Sequence, residues 1–120
     1  MATIKNLFVD AGSDFSTTIT IKQSNELPFN LTNYTAASQI RKSHDSSQYF
    51  SFNATIPPET ATQGKIKLEL PAAESEQIPH GRWLYDVEIT LTESDVIIVR
   101  KRVLEGIVQV DPQITQDITL

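Results

Sequence analysis

Two histidines are the first side chains to examine for catalysis or metal binding. His44 and His80 stand in polar loop segments, and the chain has no cysteine that could complete a zinc site with them. The sequence also lacks a nucleophile elbow, an HExxH helix, a phosphate-binding loop and a dinucleotide fingerprint. It therefore predicts no enzyme activity, no catalytic residues, no bound metal and no cofactor.

A pair of carboxylates offers a second chance for chemistry. Asp86 and Glu88 alternate along an apparent strand, so both project from one face. Such a pair could hold a cation or transfer protons. The alternative is a solvated outer face on which they pair with Arg100 or Arg102 across a hairpin. The sequence favours the alternative.

The basic run Arg100-Lys101-Arg102 does not form one patch, because consecutive strand residues point to opposite faces. The formal net charge is −5, which argues against nucleic acid and against an anionic membrane surface as partners. A subunit contact or an ordinary solvated edge remains. Arg100 and Arg102 are therefore candidate assembly contacts.

Two apolar segments could also contact neighbouring subunits. Tyr49, Phe50 and Phe52 bring aromatic groups to both faces of one strand, which is consistent with core packing or with a docking edge. The N-terminal segment is either an edge strand of the domain or an arm that pairs with another subunit. These segments supply the other candidate assembly contacts: Tyr49, Leu7, Phe8 and Val9.

Alternating apolar and polar residues predict the secondary structure. Strands are expected over 15–22, 34–42, 48–56, 65–70, 82–92 and 96–110. Pro71 and the alanines and acids after it predict one or two helical turns over 71–77. A hairpin turn is expected at 93–95. Gly106 interrupts the last strand and predicts a bulge or a close backbone approach.

Size and composition fit one globular domain. The 120 residues are 39% hydrophobic and 21% charged. We predict an all-β fold: an antiparallel β-sandwich, Ig-like or jelly-roll-like, of about seven to eight strands with one short helical turn near 71–77. A single domain is expected over 1–120, with an N-terminal arm at 1–10 and a C-terminal tail at 112–120. One face of the longest strand is expected in the core: Trp83, Tyr85, Val87, Ile89 and Leu91.

The order of several short motifs resembles a group of small virion proteins of tailed phages. These motifs are Asp14-Phe15, Leu31-Thr32-Asn33-Tyr34-Thr35-Ala36, Gln39-Ile40-Arg41, Ile78-Pro79-His80-Gly81-Arg82-Trp83-Leu84-Tyr85-Asp86-Val87-Glu88 and Leu104-Glu105-Gly106-Ile107-Val108-Gln109-Val110. The chain is also similar to the N-terminal domain of phage baseplate upper proteins. The resemblance spans roughly residues 10–115, and its motifs describe strands and turns rather than chemistry.

The resemblance implies a virion structural protein, made in the host cytoplasm and found in the phage particle. It points to a tail- or baseplate-associated adaptor or fibre-attachment subunit in a symmetric assembly. The implied partners are other virion proteins and further copies of the chain, with no nucleic acid and no membrane. Two alternatives stay open: a capsid decoration protein, and a host-surface carbohydrate-binding module with Trp83 or Tyr49 as stacking platform.

Overall fold

Eight strands form one continuous sheet in residues 3–112, the part of the chain that this computed structural model describes. The strands are β1 (Thr3–Ile4), β2 (Leu7–Asp10), β3 (Phe15–Thr20), β4 (Tyr34–Arg41), β5 (Tyr49–Thr55), β6 (Lys65–Leu70), β7 (Gly81–Glu93) and β8 (Val96–Asp111). A 3₁₀-helix covers Pro58–Gln63, and a one-turn helix, α1, covers Ala72–Ser75. The all-β class, the strand number and the helical turn are confirmed. The predicted tail lies outside the described residues, except for Pro112.

The strand order is β1-β8-β7-β4-β5-β6-β3, and β2 lies beside β8 next to β1. Strands β1 and β2 run parallel to β8, while every other pairing is antiparallel, so the sheet is mixed. Strand β5 is shared between two neighbours: residues 49–52 pair with β4, and residues 53–55 pair with β6. The N-terminal segment is thus an edge strand, one of the two predicted alternatives.

The sheet curls so that β3 and β6 close over the same core as β7 and β8. Phe52 of β5 shows this, because its ring centroid lies 5.5 Å from that of Phe15 on β3 and 6.0 Å from that of Tyr85 on β7. Buried residues of β3, β5, β6, β7 and β8 belong to one hydrophobic cluster. The division into two separate sheets, as in a true sandwich, stays a prediction.

Strand β7 supplies the centre of the core, as its alternating sequence predicts. Trp83 and Tyr85 are 4% exposed, Val87 is 1% exposed and Ile89 is fully buried. Each such side chain stabilises the fold by roughly 1.5–3 kcal/mol relative to an exposed position. Leu91, predicted on the same face, is only half-buried because the hairpin leaves the core there.

No helix within residues 3–112 is long and apolar enough to span a membrane.

The β7–β8 hairpin contains a tight turn and two bulges. Ser94 and Asp95 have φ values of 51° and 65°, and two such residues between paired strands form a type I′ turn. The register shifts after Val87 and again after Leu91, which leaves Val103 and Ile98 without partners on β7. The extra residue at 103 explains why two consecutive side chains, Val103 and Leu104, are both buried.

Gly106 marks a close backbone approach, one of the two features predicted for it. A Cβ atom at this position would lie 2.2 Å from the carbonyl oxygen of Lys5, in the N-terminal edge strand. The Lys5 N–H donates to the Glu105 carbonyl at 2.9 Å, so a backbone hydrogen bond joins the two segments at this point. The absence of a side chain at residue 106 therefore lets the N-terminal strand reach β8.

Two side chains complete this junction between the N-terminal strand and β8. The Tyr85 hydroxyl donates to the Lys5 carbonyl at 2.6 Å, and the Asn6 Oδ1 accepts from the Ile107 N–H at 3.1 Å. The Asn6 side chain thus satisfies a backbone donor in the gap between β1 and β2, where no strand pairing occurs. Burial raises the pKa of Tyr85 to about 12.

Gly106→Ala should loosen this junction, because the added methyl group meets backbone rather than a flexible side chain. We expect the free energy of unfolding to fall by about 1–3 kcal/mol. Urea denaturation measures it, with Ser51→Ala on an exposed strand position as the control. An unchanged unfolding midpoint would contradict the close approach.

Tyr85→Phe leaves the Lys5 carbonyl without its donor and should cost about 1–3 kcal/mol at pH 8. The deficit should shrink between pH 10 and 12. In that window the unfolded wild type loses its Tyr85 proton while the folded form keeps it, so wild-type stability falls with rising pH. Tyr85→Phe lacks this loss. Denaturation at several pH values tests this, with Tyr49→Phe as an exposed control, and a constant deficit would refute it.

Candidate functional site

The candidate site lies on the outer face, by which we mean the side of β1, β2, β8, β7, β4 and the start of β5 that is turned away from the core. Residues paired across a sheet share a face, and neighbours along a strand alternate. Because Tyr85 and Val87 point into the core, Leu84 and Asp86 point outward. Their register partners on β4 and β8 also face outward: Arg41, Gln39, Ile107 and Glu105.

The outer face carries four of the predicted assembly contacts. Phe8 lies opposite Gln109 and is 70% exposed. Tyr49 lies opposite Arg41 and is 48% exposed. Arg100 and Arg102 lie opposite the outward residues Thr90 and Glu88. Strand pairing therefore brings residues from distant parts of the chain onto one surface.

The remaining two predicted contacts have another location. Leu7 and Val9 flank Phe8 and point to the opposite side, where they are 5% and 0% exposed in the protein's own core. Their burial follows from the pairing of β2 with β8, which places alternate residues inward. Within the described chain these two side chains stabilise the edge strand and do not line the outer face.

An open groove of about 410 Å³ crosses the outer face. Its apolar part comes from the N-terminal edge and the two central strands, where Ile4, Leu84 and Ile107 lie close together. Its polar part includes Gln39, Ser43 and His44 at the β4 side, and four charged groups of β4, β7 and β8: Arg41, Asp86, Arg102 and Glu105. Apolar residues next to charged and polar ones are typical of surfaces that bind other proteins.

One arginine joins two carboxylates at the β7–β8 side of the groove. The Arg102 Nε lies 3.2 Å from Asp86 Oδ2, and its Nη1 lies 3.2 Å from Glu105 Oε2. This confirms the predicted pairing across the hairpin. Burial raises the pKa of Asp86, repulsion from Glu88 and Glu105 adds to the rise, and Arg102 opposes it.

Among residues 3–112 there is no group of three or more side chains arranged to hold a metal ion.

A second arginine has several contacts at the β4 side. The Arg41 Nη2 and Nε donate to Gln39 Oε1 at 2.8 and 3.3 Å, and its Nη1 donates to the Ser46 carbonyl. Its Cζ lies 4.7 Å from the centroid of the Tyr49 ring. Among the described residues it forms no ion pair with a carboxylate. Arg41 and Tyr49 thus present a fixed cation beside an exposed aromatic ring.

Trp83 does not belong to the exposed surface. Its ring is 4% exposed, its Nε1–H donates to the Pro79 carbonyl at 2.9 Å, and Phe50 packs against it edge-on at 5.6 Å. The structure therefore excludes Trp83 as an exposed stacking platform for a sugar, which was one of two positions considered. Phe50 is half-buried, so it packs on the core, whereas Tyr49 lies outside it.

Sequence reasoning missed Arg41 and Ile4 as site residues. Arg41 lies within the predicted strand 34–42, but its outward direction follows only once Ile40 is placed inside. Ile4 is 72% exposed and precedes the first recognisable alternation. The one available signal was the period of two that links Arg41 to Gln39 on the same face.

Replacing Arg102 with Gln should raise the pKa of Asp86 further, because the cation that lowers it is removed. A raised folded pKa means that stability falls as pH rises through the titration of Asp86, so the variant should lose more stability between pH 3 and 7 than the wild type. Carboxyl NMR titration measures the pKa, and Arg100→Gln is the matched control. A lower or equal pKa in Arg102→Gln would contradict the ion pair.

Comparisons with known proteins support a shared fold. No protein-family model and no curated protein matches the chain. Among solved structures, the N-terminal domain of ORF48 of phage TP901-1 is similar, with a TM-score of 0.57 and 13% identity over 89% of this chain and 85% of that chain. AggA, the major subunit of aggregative adherence fimbriae type I of Escherichia coli, gives a TM-score of 0.38 and 8% identity over 88% and 89%. The resemblance to phage proteins inferred from the sequence is thus confirmed at the level of fold.

Proposed function

We propose that the protein is a structural subunit of a phage particle, associated with the tail or baseplate, that holds neighbouring virion proteins through its outer face. The observation that carries this proposal is the exposure of Phe8 and Tyr49 on one face, together with a fixed guanidinium at Arg41. The fold shared with a phage domain supports the same reading.

The chemistry of the outer face suits a protein partner. Aromatic residues and arginine are enriched at the centres of interfaces. A side chain that is already held in one conformation before binding loses little conformational entropy when the partner binds. Arg41 is ordered by its own hydrogen bonds and by the Tyr49 ring. Phe8 extends the surface to the N-terminal edge, where this residue is 70% exposed.

We further propose that the protein acts by binding rather than by catalysis. The half-buried carboxylate of Asp86 is already engaged by Arg102, which also contacts Glu105. These groups can orient a partner through complementary charges at the rim of the groove. The proposed partners are other virion proteins and further copies of this chain.

Incorporation into particles tests the proposal. Phe8→Asp places a charge on the outer face without touching the core, so the variant should fold but bind poorly. In phage particles assembled with this chain, we expect its incorporation, measured by quantitative mass spectrometry, to fall at least tenfold. Leu27→Asp is the matched control, because Leu27 is also exposed, at 59%, but lies in the loop between β3 and β4.

The copy number and position of the wild type complete the experiment. A tail or baseplate subunit should be present in a multiple of three or six copies, and labelled density should lie on the tail. Density on the head would replace the tail role with capsid decoration. Absence of the chain from purified particles would overturn the proposal.

A further inference from the structure

One edge of β8 has a stretch without a neighbour. Residues 96–102 pair with β7 on one side, whereas β1 and β2 cover the other side only along residues 104–111. Among the described residues, the second edge of 96–102 is therefore unpaired. Such an edge presents backbone N–H and C=O groups that can pair with another strand.

The same stretch is apolar as well as open. Val96 is 63% exposed, and Ile97 and Ile98 are each 51% exposed. They are consecutive and followed by Val99, so the four residues form one apolar segment of the hairpin. Exposed β-branched residues on an open edge are costly in water and are typical of strands that pair with a partner.

The charges on either side of this segment have opposite signs. Glu93 and Asp95 precede it in and beside the turn, and Arg100, Lys101 and Arg102 follow it. An antiparallel copy of the same segment runs in the opposite direction, so it would bring its acidic end to the basic end of the first copy. The segment is therefore complementary to itself.

We propose that two copies of this chain pair antiparallel along residues 96–99 of β8, within the open stretch 96–102, with the two-fold axis between Ile97 and Ile98. In this register Val96 lies opposite Val99 of the second copy, and Ile97 lies opposite its Ile98. Asp95, the turn residue before Val96, then lies beside Arg100 of the second copy.

The charges select both the partner and the register. Positive charges along the edge, here Arg100–Arg102, hinder pairing with an arbitrary strand. A register shifted toward the basic end would bring the basic runs of the two copies together, which repulsion opposes. In the proposed register, Asp95 in the turn of the second copy places a negative charge beside the basic run of the first copy.

The size of the contact sets its strength. Four paired residues of each copy extend over about 14 Å, so the buried area is below that of a typical stable dimer. The dimer is therefore weak and depends on concentration. This inference deepens the proposed assembly role and draws its biological meaning from it, because such a contact would link neighbouring copies within a particle.

Exchange of charges tests the register in solution. Asp95→Lys places like charges opposite each other in its homodimer, and so does Arg100→Glu, so each alone should weaken dimerisation roughly tenfold relative to wild type. A mixture of the two variants should recover wild-type dimerisation, because both cross-pairs are again opposite in sign. Sedimentation equilibrium of the full chain measures this, and Asp45→Lys, an exposed acid in the β4–β5 loop, is the matched control.

Cysteine variants give a second test that leaves Asp95, whose φ is 65°, unchanged. The chain has no cysteine, so introduced thiols report only the designed contact. Val96→Cys mixed with Val99→Cys should form a disulfide-linked heterodimer, since residues opposite each other in a sheet lie within disulfide reach. Val96→Cys alone should not, because the two residues 96 would be about 10 Å apart along the strands.

The outcomes separate this inference from the proposed function. A chain that stays monomeric at millimolar concentration overturns the inference, as does a dimer that is insensitive to both charge reversals. Absence from purified particles overturns the virion role and leaves a measured dimer standing. Normal incorporation of the Arg100→Glu variant together with loss of the solution dimer would show that the particle does not use this contact.

Discussion

The position of β7 between β4 and β8 is the constraint on which both surfaces of the protein depend. Strict alternation along β7 places Trp83, Tyr85, Val87 and Ile89 in the core and places Leu84 and Asp86 in the groove. A shift of one residue would exchange the two sets, so the core and the outer face are specified together. The bulges of β8 at Val103 and Ile98 are compatible with this alternation. Each places its extra residue on β8, so the inward and outward alternation of β7 continues without interruption.

The local pattern of a sequence reveals strands well but reveals their partners poorly. Strands β3 to β8, the helical turn, the hairpin turn and the ion pair between Asp86 and Arg102 were predictable because each depends on residues close in sequence or joined by one hairpin. The parallel pairing of β1 and β2 with β8 was not, since it joins the two ends of the described chain. The 3₁₀-helix at Pro58–Gln63 could not be predicted, because it has no apolar period of its own.

Where apolar residues are consecutive, the sequence alone does not indicate which of them face the core and which face outward. Leu7, Phe8 and Val9 are all apolar, so their sequence does not say which face is inward, and only the register with β8 places Phe8 outside. Tyr49 and Phe50 pose the same problem, which is settled by the pairing of β5 with β4 and by the contact of Phe50 with Trp83. Candidate contacts could thus be predicted as segments, whereas the individual exposed side chains required the fold.

The electrostatics of the surface indicate how a partner is recognised. The chain carries a net charge of −5, and several of its cations are held by its own groups: Arg102 by two carboxylates, and Lys42 and Lys101 over the rings of Trp83 and Phe29. Long-range attraction to another acidic protein is therefore weak, and salt screens what remains within about 8 Å at physiological ionic strength. Recognition must then depend on contact: an exposed ring that fits a pocket, or a strand that completes an edge, with nearby charges rejecting wrong alignments. A subunit built in this way associates where assembly has already brought its neighbours close, because local concentration compensates for weak individual contacts.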